Sequence, residues 1–233
     1  MSDLIVSLET ENFQSTKSLV QELGKEVLYY KVGLPLFVKE GPPLLEFLHK
    51  EEKKVFLDLK FYDIPSVTKR AVVEACSLGV FMLNVHALGG ETFLQEVVLG
   101  REKFPNTKLI GVTLLTSYSE NELKREKLLN EHETVTERVI ELAQKVKKAG
   151  LDGVVASAIE AREIKKKCGH DFLVVTPGIR LSADSAQHDQ KRWTTVEEAL
   201  ASGSDYLVVG RPILEASDRK KATQLFLAKI CGY

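Results

Sequence analysis

An acid and a base lie two residues apart, at Asp58 and Lys60, in an otherwise apolar run. Residues two apart on a β-strand share a face, so both side chains are predicted to point into the interior of the fold. Buried charges are costly unless they are paired or used in catalysis, and Lys31 and Asp63 are the candidates for pairing them. Two acids and two lysines of alternating sign would keep Lys60 protonated and ready to donate. A salt bridge that only stabilises the fold is the alternative interpretation.

A second group of residues is suited to bind phosphate. Gly210 lets the backbone approach an anion closely, and Arg211 follows it with a forked cation. The connection from 177 to 194 is long for a loop, carries Arg180 and the polar run 189–192, and is predicted to act as a lid. For Gly210 and Arg211 taken alone, an ordinary tight turn is an equally good interpretation.

Other polar residues are weaker candidates. His86 has no second ligand at metal spacing, so a hydrogen-bonded structural role is expected for it. Ser157 lacks the G-x-S-x-G pattern of a serine nucleophile, which leaves a hydrogen bond to a ligand as its expected role. The lysine-rich stretches 145–148 and 165–167 are interpreted as solvated helix faces and not as a nucleic-acid site.

Eight apolar runs rich in Val, Ile and Leu must position these side chains, because most candidates lie in such a run or just after one. The runs have the length and composition of buried parallel strands. The predicted strands are 4–8, 28–32, 55–59, 82–85, 109–114, 153–156, 173–176 and 206–209.

Amphipathic stretches with helical period separate the strands. The predicted helices are 16–26, 43–50, 66–78, 91–103, 135–149, 158–167, 195–201 and 220–229. Eight βα units in succession predict one domain over residues 1–233, a closed (β/α)8 TIM barrel with its catalytic groups at the carboxyl ends of the strands. A doubly wound sheet is the alternative, but the turn that begins at Glu9 lacks the glycines of a dinucleotide-binding fingerprint.

Composition limits the partners of the chain. With 32 Lys and Arg against 33 Asp and Glu and a sequence pI near 6.5, no overall field favours nucleic acid or an anionic membrane. No run reaches transmembrane length, and the amino terminus lacks the pattern of a signal peptide. The scattered cysteines Cys76, Cys168 and Cys231 suit reduced thiols, so a cytoplasmic protein is expected.

Seven short motifs follow one another along the chain. They are KVG from Lys31, DLKFYDIP from Asp58, NVHA from Asn84, VTLLTS from Val112, TPGIR from Thr176, DQKR from Asp189 and VGRPI from Val209. Through these motifs, and over almost the whole chain, the sequence resembles the orotidine 5'-phosphate decarboxylase family. The resemblance implies conversion of orotidine 5'-phosphate to UMP and CO2, the last step of de novo pyrimidine nucleotide synthesis, with no metal or organic cofactor.

The resemblance also implies a homodimer in which Asp63 reaches into the site of the other subunit. Lys60 would stabilise and then protonate the carbanion left at C6, Gln190 and Arg211 would bind the phosphate, and Ser157 would contact the pyrimidine. The implied catalytic residues are Lys60, Asp58, Asp63 and Lys31, and the implied substrate contacts are Glu9, Lys31, Asp58, Lys60, Asp63, Ile64, Thr116, Ser157, Pro177, Arg180, Gln190, Gly210 and Arg211.

The chain departs from the family pattern at three places. Glu9 stands where the family usually has Asp, and Tyr62 precedes Asp63 where His is common. The stretch between Arg180 and Gln190 is one residue longer than is usual in bacterial members. Altered affinity, and not lost activity, is the expected consequence.

Two other functions are compatible with the sequence. Relatives with the same Asp-x-Lys-x-x-Asp core act on sugar phosphates and use Mg²⁺ to stabilise an enediolate. The continuation of the core motif to Pro65 and the polar lid argue against that reaction. The second alternative is a catalytically silent nucleotide-binding barrel, and Glu9 is the residue that keeps it open.

Overall fold

The computed structural model describes residues 2–181 and 193–232. The strands are β1 (Asp3–Leu8), β2 (Tyr29–Gly33), β3 (Lys54–Phe61), β4 (Met82–His86), β5 (Lys108–Val112), β6 (Gly153–Val155), β7 (Leu173–Thr176), β8 (Ile179–Arg180), β9 (Thr194–Thr195) and β10 (Tyr206–Val209). Eight of them close into a parallel barrel in the order β1-β10-β7-β6-β5-β4-β3-β2, while β8 and β9 pair separately. The predicted TIM barrel is therefore confirmed.

Helices cover the outside of the barrel. They are α1 (Phe13–Leu23), α2 (Leu34–Glu40), α3 (Pro42–Lys50), α4 (Pro65–Ser77), α5 (Gly90–Arg101), α6 (Glu120–Arg125), α7 (Val135–Lys148), α8 (Ala158–Cys168), α9 (Val196–Ala201), α10 (Arg211–Leu214) and α11 (Arg219–Cys231). The helices α2, α6 and α10 were not predicted; they have seven, six and four residues, and segments this short show little helical periodicity. Among the described residues, no helix has both the length and the apolar character needed to cross a membrane.

The first helix differs from the prediction at both ends. It begins at Phe13 and not at 16, because the Asn12 side chain accepts a hydrogen bond from the Ser15 backbone and caps the first turn. It ends at Leu23 because Gly24 has a positive φ of 56°, and a short 3-10 turn follows. Local capping chemistry therefore decides these boundaries.

Two apolar clusters hold the barrel together. The larger one lies between the outer faces of the strands and the helices. The smaller one fills the barrel interior and closes it from below; its members are Ile5, Tyr29, Phe56, Met82, Ile110, Val175 and Val208. This smaller cluster, the apolar plug, forms the floor beneath the carboxyl ends of the strands.

One buried lysine contradicts the interpretation of 165–167 as a fully solvated stretch. Lys165 Nζ donates hydrogen bonds to the carbonyls of His170 and Phe172 and to both oxygens of Asp205, at 2.7–2.9 Å. Asp205 also accepts from the backbone of Val174. The ion pair thus ties the end of α8 and the start of β7 to the segment that enters β10, whereas Lys166 is exposed as predicted.

Replacement of Lys165 by Met should destabilise the barrel, because Asp205 would keep its charge without its main partner. We expect a loss of about 2 kcal/mol, below the roughly 3–5 kcal/mol typical of a fully buried pair, because the Asp205 side chain is 29% exposed. Denaturant unfolding measures this loss. The matched control is Lys166→Met, which should change stability by less than about 0.5 kcal/mol. Equal midpoints for the two variants would contradict the structural role of Lys165.

Candidate active site

A cavity of about 410 Å³ opens at the carboxyl ends of the barrel strands. Its floor and one wall are apolar, and its rim carries charged side chains. The lining residues are Ser7, Glu9, Lys31, Phe56, Asp58, Lys60, Val112, Leu114, Leu115, Thr116, Ser117, Val155, Val175, Pro177, Gly178, Arg180, Val208, Gly210 and Arg211. The size and the few convergent polar groups are typical of a small-molecule site.

A row of three charges crosses one side of the cavity. Asp58 is buried, and its Oδ1 lies 2.7 Å from Lys60 Nζ, while its Oδ2 lies 3.2 Å from Lys31 Nζ. The prediction that Asp58 and Lys60 point to the same side therefore agrees with the structure. Because Lys60 is the most exposed of the three, its ammonium is the one that a ligand in the cavity can meet.

The backbone that carries this row is not a regular strand. Lys60 has a φ of +50°, a conformation that costs a residue with a Cβ roughly 1–2 kcal/mol. The pairing of β3 with β4 shifts between Leu57 and Phe61. Asn84, which is fully buried on β4, accepts a hydrogen bond from the Lys60 backbone at 2.8 Å and donates one to Asp58 Oδ1 at 2.7 Å.

Sequence reasoning gave Asn84 no role, although it lies in one of the seven motifs. One signal was available, since a buried Asn in an apolar strand needs hydrogen-bond partners. Nothing in the sequence indicated the bulge in β3. A regular strand already places Asp58 and Lys60 on one face, so their spacing did not require a bulge.

The charges of the row change the acid–base properties of their neighbours. Burial alone would raise the pKa of Asp58, but Lys31, Lys60 and the hydrogen bond from Asn84 together hold it below its ordinary value. Burial and the nearby Lys60 charge lower the pKa of His86. The site therefore pairs an ionised carboxylate with ammonium groups and keeps the adjacent imidazole neutral near pH 7.

The segments that follow β7 and β10 form a cationic corner of the cavity. It consists of Arg180, Gly210 and Arg211. Arg180 is buried, and burial together with the nearby Arg211 charge lowers its pKa, partly offset by Glu215 and Glu9. Two guanidinium groups close enough to repel each other favour an anion between them. Gly210 adds a stretch of backbone without a side chain, as the phosphate prediction requires.

Glu9 lies beside this corner and not against the lysines. Its Oε1 accepts a hydrogen bond from Ser7 at 3.0 Å, and a methyl group added to Gly210 would lie 3.0 Å from the same oxygen. Within the described ranges Glu9 forms no ion pair, and Lys31 pairs with Asp58 alone. Glu9 therefore makes no ion pair with Lys31 in this structure.

Asp63 does not join the charge row within its own chain. The chain turns outward after β3, and Asp63 is exposed, with its Oδ1 accepting a hydrogen bond from the backbone of Ile64. Ile64 is 62% exposed and also lies outside the cavity. Both residues lie at the surface of the described chain.

The remaining predicted contacts are divided. Thr116 and Pro177 line the cavity. Ser157 is buried but does not line it, because its hydroxyl caps α8 by accepting a hydrogen bond from Ile159 at 3.4 Å.

His86 lies outside this cavity; its ring packs against Tyr62, and its Nδ1 finds no hydrogen-bond partner in the described part of the chain. Gln190 and the rest of the predicted lid at 189–192 lie outside the described residues.

No three His, Cys, Asp or Glu side chains come together in residues 2–181 and 193–232 in a way that could hold a metal ion. The groups that converge on the cavity are ammonium, guanidinium and hydroxyl groups with two carboxylates. Such a set can bind an anion and can donate a proton to a developing negative charge.

Comparisons with known proteins agree with this chemistry. The model of the orotidine 5'-phosphate decarboxylase / HUMPS family matches residues 2–226. An orotidine 5'-phosphate decarboxylase of Carboxydothermus hydrogenoformans is 43% identical over 98% of this chain and 96% of its own length. One of Syntrophus aciditrophicus is 45% identical over 91% of this chain and 86% of its own. The crystal structure of the Lactobacillus acidophilus orotidine 5'-phosphate decarboxylase superposes with a TM-score of 0.84 at 33% identity, covering 98% and 99% of the two chains.

Proposed function

The chain belongs to the orotidine 5'-phosphate decarboxylase / HUMPS family, and on that premise we propose that it decarboxylates orotidine 5'-phosphate to UMP and CO2. The observation that carries the proposal is the Lys31–Asp58–Lys60 row beside a cavity with a cationic far corner. The family description also covers HUMPS proteins, but the curated relatives compared above are named as the decarboxylase.

The reaction needs stabilisation of negative charge more than it needs a nucleophile. When the bond between C6 and the carboxylate breaks, CO2 leaves and the electron pair stays on C6, where no adjacent carbonyl can take it up. The Lys60 ammonium stabilises this carbanion electrostatically and then gives it a proton, so that the pair ends in a C–H bond. The apolar floor strengthens the interaction, because charges attract more strongly away from water.

Asp58 keeps the proton donor in place. Its two oxygens contact both lysines, so Lys60 is fixed beside the reacting carbon before the substrate arrives. Preorganised charge of this kind needs little rearrangement during the reaction, which is why it lowers the barrier. Lys31 supplies the second positive charge that keeps Asp58 ionised.

The phosphate end supplies binding energy at a distance from the reacting carbon. We assign the phosphate to Arg180, Gly210 and Arg211, with Gln190 as a further contact. Energy gained there can be used to hold the pyrimidine against Lys60, so that it lowers the barrier and does not only tighten binding. Thr116 and Pro177 are assigned to the nucleoside. The Ser157 contact to the pyrimidine stays a prediction, since its hydroxyl caps α8.

The active enzyme is proposed to be a homodimer with Asp63 shared across the interface. A second cavity of about 690 Å³ adjoins the site and shares Glu9, Lys31, Asp58 and Lys60 with it. Four apolar side chains are exposed on α2 and on the segment between β3 and α4: Leu34, Val38, Tyr62 and Ile64. Exposed apolar groups of this kind mark interaction surfaces. A second copy of the chain seated there would bring its Asp63 toward Lys60.

The proposal includes a cytoplasmic location. Cys76 and Cys168 are buried free thiols, and Cys231 is a free thiol at the surface. Unpaired cysteines are common in reducing compartments such as the cytosol.

Replacement of Lys60 by Ala tests the proposed chemistry. We expect kcat for orotidine 5'-phosphate to fall by roughly 10³-fold or more, because both the stabilising charge and the proton donor are lost. UMP binding, measured by calorimetry, should persist. The matched control is Lys54→Ala at the opposite end of the same strand, where the ammonium lies over the Tyr29 and Phe81 rings. Near-normal turnover by Lys60→Ala would refute the assignment.

Mixing two inactive variants tests the shared Asp63. Lys60→Ala and Asp63→Ala should each be inactive alone, yet a heterodimer of the two contains one site with both residues intact. Random exchange of subunits should therefore restore about a quarter of wild-type activity. Mixing Lys60→Ala with the Lys60→Ala/Asp63→Ala double variant provides the control, because no site then has Lys60. No recovery in the first mixture would show that Asp63 does not act across an interface.

A further inference from the structure

Within residues 2–181 and 193–232, Asn84 is the one buried polar residue in contact with the charge row that the proposed mechanism does not use. It lies in the middle of β4, and no part of it reaches solvent. Its amide contacts two different groups of β3: the backbone of Lys60 and the carboxylate of Asp58. A single side chain therefore connects the backbone of the proton donor with the carboxylate that holds the donor's ammonium.

The need for this amide arises from the bulge in β3. Leu57 is opposite Leu83 and Phe61 is opposite Val85, so four steps along β3 pass only two steps along β4. Surplus residues in a bulge lose their places in the hydrogen-bond ladder. The Lys60 N–H is one of the groups displaced, and Asn84 Oδ1 accepts it at 2.8 Å.

The other half of the amide acts on the carboxylate. Asn84 Nδ2 donates to Asp58 Oδ1, the same oxygen that faces Lys60 Nζ. A buried carboxylate oxygen can accept both hydrogen bonds, and each favours its ionised form. The direction of the Asp58 carboxylate, and with it the position of the Lys60 ammonium, is thereby fixed from β4.

We propose that Asn84 is a positioning residue for the decarboxylation, acting through Lys60 and Asp58 without contact to the substrate. This inference rests on the proposed function of the site. Without Asn84, the Lys60 backbone would have no partner for its N–H in the left-handed conformation, and Asp58 could turn about its side-chain bonds. A displacement of the ammonium by about 1 Å is enough to reduce turnover by around 10²-fold.

The first test compares Asn84→Ala with Val85→Ala, a truncation of the next buried residue on the same strand. We expect kcat of Asn84→Ala to fall by 10- to 100-fold relative to Val85→Ala, as is typical of lost positioning. The affinity for UMP should change by less than about 3-fold, since the substitution does not touch the cationic corner. Equal kcat values for the two variants, or losses of kcat and UMP affinity in parallel, would overturn the proposal.

The second test uses Asn84→Asp, which keeps the acceptor for the Lys60 N–H but replaces the donor to Asp58 by a second carboxylate. The charged groups that face this pair are Lys31 from β2 and Lys60 from β3, and the titratable imidazole of His86 on β4 lies at longer range. Two adjacent carboxylates share a proton more readily than either holds one alone, so one pKa of the pair rises. The shared proton restores a hydrogen bond between positions 84 and 58.

Acid should therefore rescue Asn84→Asp. We expect its kcat relative to wild type to rise several-fold as the pH is lowered across the range in which both proteins stay folded, because a carboxylate pair takes up a proton more readily than a single carboxylate does. A ratio that stays constant over this range would overturn the proposal, because a merely structural defect does not follow the protonation of one pair. Absence of turnover by the wild-type protein itself would remove the proposed function and this inference together, whereas an active wild type with no effect at Asn84 removes the inference alone.

Discussion

The site depends on one buried carboxylate held between two lysines. Asp58 makes 2.7 Å and 3.2 Å contacts with Lys60 and Lys31, and these charges outweigh the burial that would otherwise raise its pKa. A buried charge without such partners would be neutralised or would destabilise the barrel. Because the carboxylate stays ionised, it can hold a protonated lysine at the cavity in the absence of any ligand.

The strand that carries Asp58 and Lys60 is locally irregular. Lys60 adopts a backbone conformation that L-residues avoid, the β3–β4 ladder slips, and Asn84 takes over the hydrogen bond that the ladder loses. Strained backbone is concentrated at functional sites when the surrounding structure supports it. Here the support comes from a neighbouring strand and from the apolar plug beneath the cavity.

The sequence was sufficient for the fold, and most of the residues it singled out lie at the cavity. The eight barrel strands and eight of the described helices could be predicted because apolar periodicity records burial, and the Asp58–Lys60 spacing already placed both charges on one face. Asn84 was missed because its function depends on a register shift, which is a property of two strands and not of one. The position of Asp63 at the surface likewise depends on the path of the chain after β3, which the sequence pattern does not record. Glu9 bends toward Ser7 because its reach is decided by side-chain torsions that no pattern records.

The most direct measurement is turnover by the EDTA-treated wild-type protein with orotidine 5'-phosphate, followed by loss of substrate absorbance and by release of CO2. A site that works through Lys60 and Asp58 predicts rapid conversion to UMP with one CO2 released for each substrate consumed. Two results would contradict this account. Turnover that appears only when Mg²⁺ is returned would indicate the metal-dependent chemistry of the sugar-phosphate relatives. A folded protein that binds UMP but converts no substrate would be a silent nucleotide-binding barrel.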